Sequence, residues 1–298
     1  MIRRVLRHLP VALRGRPLRG LERYRPFFIV GSGRCGTTLL RAMLEAHPDV
    51  HIPPETHLPD VMRDYQRYSR LPWHAVLRII LTRFEYHPQW DGFVPAFGPV
   101  YRDLSARAED RNLAAVLDAV YRAHATRYKP TATRWGDKTP LNALALNGLH
   151  TVFPDLRAIH MVRDGRDVVQ SFMRRTNVEL SAAARAWLRP VRTAQQFGVR
   201  HPAQYREIRY EDLVRQPQVT IEAVCAFLDL PLDERSLRHH ELDLPLADVD
   251  RFARFQGVRG PLHQAEIGRW RTDLSATQID QLDALLGPTL SALGYEDR

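Results

Sequence analysis

Residues 27–38 read Phe-Phe-Ile-Val-Gly-Ser-Gly-Arg-Cys-Gly-Thr-Thr, and no other stretch narrows the fold as much. Four consecutive apolar residues bounded by glycine predict a short strand buried on both faces, as in a parallel sheet. Leu39, Leu40, Met43 and Leu44 then share one face of a helix, which His47-Pro48 ends. A glycine loop between strand and helix leaves backbone N–H groups and the helix N-terminus together, an arrangement that holds an anion. A tight strand-to-helix connection would use the same glycines. The spacing follows the G-x-x-x-x-G of nucleotide-triphosphate loops, but Thr37 stands where that loop carries lysine. A nucleotide kinase or NTPase built on it would lack the cation that reaches the terminal phosphates.

The rest of the chain repeats strand and helix text. Thr131–Trp135, Ala158–Val162 and Tyr205–Tyr210 are further strand candidates, each followed by a helical pattern. This alternation predicts an α/β fold with a central parallel sheet and helices on both faces. Residues 52–59, with three prolines, predict a stiff loop rather than a helix. From about 60 to 128 the period is helical, best seen in Leu113, Val116, Leu117, Val120 and Tyr121, which predicts a helical insertion after the first strand–helix unit. Ser275 to Gln278 has the form of a capping box opening a last helix. At 298 residues this is enough chain for one large domain, 26–298.

Residues 1–25 stand apart. They hold Arg3, Arg4, Arg7, Arg14, Arg16, Arg19, Arg23 and Arg25 against the single acid Glu22, and their apolar pairs are too short for a secretory signal. They read as a basic arm. Disorder and peripheral contact with an anionic membrane both suit its composition. Charge runs through the whole chain in the same direction: 43 basic residues against 34 acidic, of which only Lys129 and Lys138 are lysines. Such a surplus suits anionic partners, although the arginine bias of a GC-rich coding sequence would produce it too. Two cysteines, Cys35 and Cys225, supply neither a disulfide framework nor a zinc site, so a reducing, cytoplasmic setting is expected.

Five separated motifs in order carry a resemblance. The run 27–59, Trp-Gly-Asp-Lys-Thr-Pro at 135–140, residues 153–175 around Arg163-Asp-Gly-Arg-Asp, Arg-Tyr-Glu-Asp-Leu-Val-Arg-Gln-Pro at 209–217 and Ile-Gly-Arg-Trp at 267–270 resemble sulfotransferases, particularly the tyrosylprotein sulfotransferase-like branch. The resemblance implies a three-layer α/β/α P-loop-like fold and a donor, 3′-phosphoadenosine 5′-phosphosulfate (PAPS), with no metal. It implies that Gly33, Arg34, Cys35, Gly36, Thr37 and Thr38 hold the 5′ end of the donor. Arg163 and Ser171 would hold the 3′-phosphate, with Tyr210 and Arg269 as further nucleotide contacts. Cys35 departs from the usual serine, and Arg254 stands where the family has another serine contact.

Moving a sulfuryl group asks for in-line positioning, a donor to the leaving bridge oxygen and a base for the acceptor hydroxyl. By resemblance Lys138 serves the leaving oxygen with help from Arg34, and Glu55 is the base, with His57 its rival. The remaining histidines, among them His47, His51, His239 and His240, have no metal-binding frame and are expected to be ordinary loop residues. Acceptors implied by the resemblance range over small-molecule, carbohydrate, lipid and peptide hydroxyls. A nucleotide kinase or NTPase explains the loop but not its missing lysine. A nucleic-acid binder explains the charge but not Glu55, Lys138 and two phosphate motifs, so no nucleic-acid partner is expected.

Overall fold

The computed structural model describes residues 15–21, 23–92, 94–246, 249 and 257–295. Its centre is β1 (Phe27–Gly31), in which every residue is buried. Phe28 and Val30 point into one apolar cluster, Phe27 and Ile29 into another, so the period of two feeds both faces of the sheet. Five parallel strands lie in the order β2-β3-β1-β4-β5, with β2 Val50–His51, β3 Arg134–Lys138, β4 Arg157–Val162 and β5 Tyr205–Arg209. The register sets Ile29 beside Lys138 on one side and Ile159 on the other. The expected parallel α/β sheet is present, and the fold is three-layered.

On one face lie α1 (Thr37–Glu45) and, later in the chain, α9 (Tyr210–Arg215) and α10 (Pro217–Phe227). The opposite face receives the insertion: α2 (Leu58–Tyr68), α3 (Trp73–Glu85), α4 (Phe97–Ala106) and α5 (Leu113–Tyr128), joined by α6 (Leu146–Val152). A third cluster forms where α7 (Gly165–Thr176), α8 (Leu180–Arg200) and α12 (Ala276–Ala292) meet around Trp187. α11 (Trp270–Asp273) is a single turn, and Ser275 with Gln278 forms the expected capping box of α12.

Three boundaries differ from the sequence reading. The second strand candidate begins at Arg134, not Thr131, because Pro130 is followed by a turn in which Ala132 N–H donates to the Lys129 carbonyl. β2 is only two residues long, too short for a periodic signal, and pairs with Arg134 and Trp135. Leu58 and Pro59 open α2 instead of closing a loop, since proline is tolerated in a first turn.

The arm is also shorter than expected. Its first part, residues 1–14 with Arg3, Arg4, Arg7 and Arg14, lies outside the described residues. Residues 15–21 belong to the body: Arg16 donates to the Leu71 carbonyl at 2.9 Å and lies over the Trp73 ring. Tyr65 Oη donates to the Pro17 carbonyl at 3.0 Å, Ala114 N–H donates to that of Leu18 at 2.8 Å, and Leu18 packs on the insertion core. Deleting residues through Leu21 is therefore expected to lower unfolding free energy by about 2–4 kcal/mol, from the loss of these hydrogen bonds and of one apolar side chain. Denaturant titration of the full and shortened chains checks it; an unchanged midpoint would return these residues to the arm.

Candidate active site

The C-terminal ends of all five strands open into one cleft of about 1370 Å³. In open parallel sheets this edge is where ligands bind, because loops and helix N-termini converge there. From β1 come Ser32, Gly33, Arg34 and Gly36, and from the first turn of α1 come Thr37 and Thr38, all on the cleft wall. The loop turns through positive φ at Gly33 (77°), Arg34 (56°) and Gly36 (90°). α1 has no side-chain N-cap, so its first-turn N–H groups remain for a ligand. At Gly36 a side chain is excluded twice, by φ and because a Cβ would stand 2.4 Å from Tyr210 Cδ2.

Arg163 is the first residue beyond β4. Its guanidinium donates to the Arg34 carbonyl at 3.3 Å and to the Glu266 carbonyl, pairs with Asp167 at 3.6 Å, and stacks over the Tyr210 ring at 4.8 Å. Its Nε is buried with no partner among the described residues. Ser171 lies two turns along α7 and accepts from Arg34 Nε at 3.2 Å, joining the loop to the second motif. Asp167 also accepts from the N–H groups of Gly268 at 2.8 Å and Trp270 at 3.0 Å, which fixes the last motif against α7.

Lys138 closes β3 and is wholly buried. Its Nζ meets Glu55 Oε1 at 2.6 Å and Thr38 Oγ1 at 3.4 Å. The cation absent from the loop thus arrives from the adjacent strand. Glu55, 17% exposed, faces the cleft. Behind it Asp137, fully buried, accepts from Thr56 Oγ1 at 2.5 Å, Tyr121 Oη at 2.7 Å and Asn142 Nδ2 at 2.8 Å. Burial raises the Asp137 carboxyl above its ordinary range, and the Thr56 and Tyr121 hydroxyls oppose the shift. His57, 42% exposed at φ 49°, stands with Nε2 3.9 Å from Glu55 Oε2 and stacks on His87. Burial and the neighbouring His57 hold His87 below the usual imidazole range.

Most of the residues singled out from sequence meet here, with two corrections. Cys35 does not face the cleft: its side chain is fully buried in the α1 cluster, and burial pushes its thiol up. Its sulfur faces polar groups of the loop itself, at Ser32, Gly33 and Thr37, so its place is in the packing below the loop. Arg269 does not line the cleft either, being paired outside with Glu266 and Asp273, each at 3.1 Å. Arg254 lies outside the described residues. His51 is no loop residue: it is buried on β2, with Nδ1 2.9 Å from Glu45 and Nε2 2.8 Å from His124. Sequence reasoning missed Arg175, one turn past Ser171, and Arg185, Arg189 and Arg192 of α8, all on the cleft wall. No group of three or more metal-ligating side chains occurs among the described residues.

An uncapped helix N-terminus, two threonine hydroxyls and a half-satisfied arginine form a receptor for a molecule with more than one anionic group. The class is thus an α/β protein with an anion-binding cleft whose cation is supplied outside its glycine loop. Comparison narrows it. A family model described as the sulfotransferase family matches residues 26–234. A putative protein-tyrosine sulfotransferase of Caenorhabditis briggsae is 28% identical over 90% of this chain and 88% of its own. Protein-tyrosine sulfotransferase 1 of Danio rerio is 26% identical over 90% of this chain and 72% of its own. The sulfotransferase domain of the Synechococcus PCC 7002 olefin synthase superposes with a TM-score of 0.63 at 21% identity, covering 95% of this chain and all of that domain. The chain belongs to the sulfotransferase family and is an enzyme of sulfuryl transfer.

Gly36→Ala is expected to lower stability by about 2 kcal/mol or more, from αL strain and the Tyr210 clash. Gly287→Ala, in a helix with open space around it, should instead raise it by about 0.5–1 kcal/mol. Calorimetric melting of both variants separates the loop requirement from general glycine effects, and an undisturbed Gly36→Ala would deny that requirement.

Proposed function

We propose that the donor is PAPS and that the cleft moves its sulfuryl group to a hydroxyl acceptor. The observation that carries this reading is the convergence of two anion-binding groups on the buried Lys138–Glu55 pair. The first, Gly33 to Thr38, suits the 5′ end. Arg163 and Ser171 suit a 3′-phosphate, for which the orphaned Arg163 Nε remains to donate. When bound, the donor supplies an activated sulfuryl group with a phosphate as leaving group.

The chain's own residues then divide the work. Lys138, held at the end of β3, offers a compact ammonium to a developing negative charge, and Arg34 reaches the same region from the loop. Glu55 accepts the acceptor's proton. The support is its position on the cleft wall, with its backbone neighbour Thr56 anchored to Asp137 and Thr139. His57, more exposed than Glu55, suits a role at the rim. Tyr210 supports the loop at Gly36 and offers its ring beneath Arg163. Similarity to protein-tyrosine sulfotransferases supports a phenolic hydroxyl as the acceptor group, in a peptide or a smaller molecule.

Binding tests the donor site without any acceptor. Adenosine 3′,5′-bisphosphate at a hundred times its dissociation constant should add about 2.7 kcal/mol to stability, in the presence of EDTA. ATP should add much less, and Arg163→Ala should remove most of the difference. Equal shifts from both nucleotides, or a shift that needs magnesium, would favour an NTPase.

Chemistry is tested separately. Glu55→Gln should leave bisphosphate binding nearly intact and lower turnover about 10²-fold or more, and Lys138→Ala should lower it about 10²- to 10³-fold. Retained turnover in Glu55→Gln with loss in His57→Ala would exchange the two roles.

A further inference from the structure

A further wall of the cleft is formed by the 3₁₀ segment Pro140–Ala145 and by α8, which pack on one another. The segment begins two residues after Lys138, so this wall adjoins the transfer point on the acceptor side. Leu141, Leu144, Ala186 and Leu188 make it apolar. Along it Arg185, Arg189 and Arg192 recur at i, i+4 and i+7, a single stripe of one helix. Arg192 donates to Thr289 Oγ1 at 3.2 and 3.0 Å, while the guanidinium groups of Arg185 and Arg189 have no hydrogen-bond or ion-pair partner among the described residues.

Like charges one turn apart repel, and among the described residues no carboxylate pairs with them. The described acids on the cleft wall are Glu55 and Glu266. Glu55 is taken by Lys138, and Glu266 by Arg269 and Arg174. Elsewhere in the chain exposed arginines find acids one turn away, as Arg107 does with Asp103 and Arg122 with Asp118. The α8 stripe differs by facing a cavity.

We infer that the acceptor is a small amphiphile: a hydroxyl reaching Glu55, an apolar body along Leu141, Leu144 and Leu188, and a carboxylate or phosphate on Arg185 and Arg189. This rests on the sulfuryl-transfer reading of the same cleft. A peptide fits this wall less well. Both wall elements are helical, and no residue of the edge strands β2 and β5 themselves lines the cleft. Peptide N–H and C=O groups would therefore lie unpaired against apolar side chains. Guanidinium forks suit carboxylate and phosphate alike.

The probes are ω-(4-hydroxyphenyl)alkanoates with chains spanning roughly one to two turns of α8, their methyl esters, matching alkyl phosphates, and a tyrosine peptide flanked by glutamates. For the best chain length, kcat/KM of the acid should exceed that of its ester about tenfold or more. Arg185→Ala with Arg189→Ala should bring that ratio to about one, while the two lysine replacements keep most of it. Calorimetry on enzyme loaded with adenosine 3′,5′-bisphosphate should show the acid binding, and lose it in the alanine double variant. The better of acid and phosphate identifies the anion. Equal rates for acid and ester, a double variant that lowers both alike, or a peptide preferred over every amphiphile would each overturn the inference. So would failure of all phenols to react while the bisphosphate still stabilises the protein. Absence of bisphosphate stabilisation would instead remove the donor reading, and this inference with it.

Discussion

Parallel pairing of β1 between β3 and β4 is the constraint on which the site depends. It brings the ends of strands far apart in sequence to one edge, so a residue one step past each strand becomes a neighbour of the others. Ile29 pairs with Lys138 and Gly31 with Met161, which sets the glycine loop between a lysine on one side and Arg163 on the other. The chain therefore replaces a loop lysine by register. The ammonium comes from β3, fully buried, and is tolerable there because Glu55 is 2.6 Å away and Thr38 offers a hydroxyl. Removing one member of such a pair leaves an uncompensated charge, typically a loss of ~3–5 kcal/mol in a dry interior. That figure is an upper bound here, since Glu55 is in part exposed.

The insertion also belongs to the machinery. Tyr121 of α5 stacks on Trp135 with centroids 4.1 Å apart and donates to Asp137, which in turn receives Thr56. Asp137 is the neighbour of Lys138, and Thr56 the neighbour of Glu55. One buried carboxylate thus ties β3, the loop before α2 and the insertion into a single unit. Its donors must all be present, because burial alone disfavours the charged carboxylate. The position of Glu55 is set from behind, by an element more than sixty residues away.

The sequence made one half of this plain. β1, the loop and α1 were readable because an apolar run, glycines and a helical face occur in immediate succession, and β4 because only His160 interrupts its apolar run from Ala158 to Val162. Lys138, Glu55, Arg163 and Ser171 were readable through motifs. Unreadable were features that exist only by pairing. β2 has two residues, too few for a period. His51 looked like a loop histidine because its partners, Glu45 and His124, lie on α1 and α5. Cys35 and Arg269 sat inside motifs, yet backbone direction turns one into the core and leaves the other among outer acids. Arg185 and Arg189 were lost in a chain rich in arginine, where a charged helix face reads as a solvated one. The residues after Gly15 were misread for the same reason: arginines hid Pro17 and Leu18, which dock the chain.

The two sides of the cleft use arginine in different ways. On the loop side Arg34 and Arg163 are tethered: Arg34 holds Ser171, and Arg163 is fixed by Asp167, by two carbonyls and by the Tyr210 ring. Tethered forks are pre-organised, so little side-chain entropy remains to be lost on meeting phosphate. On the α8 wall Arg185 and Arg189 carry no such supports among the described residues and keep their rotamer freedom. The first arrangement suits a ligand of fixed geometry. The second suits one whose length and anion vary, since untethered arginines can follow a charge over several ångströms. This contrast separates the side we assign to the nucleotide, set by the parallel sheet, from the side we assign to the acceptor, set by one helix face.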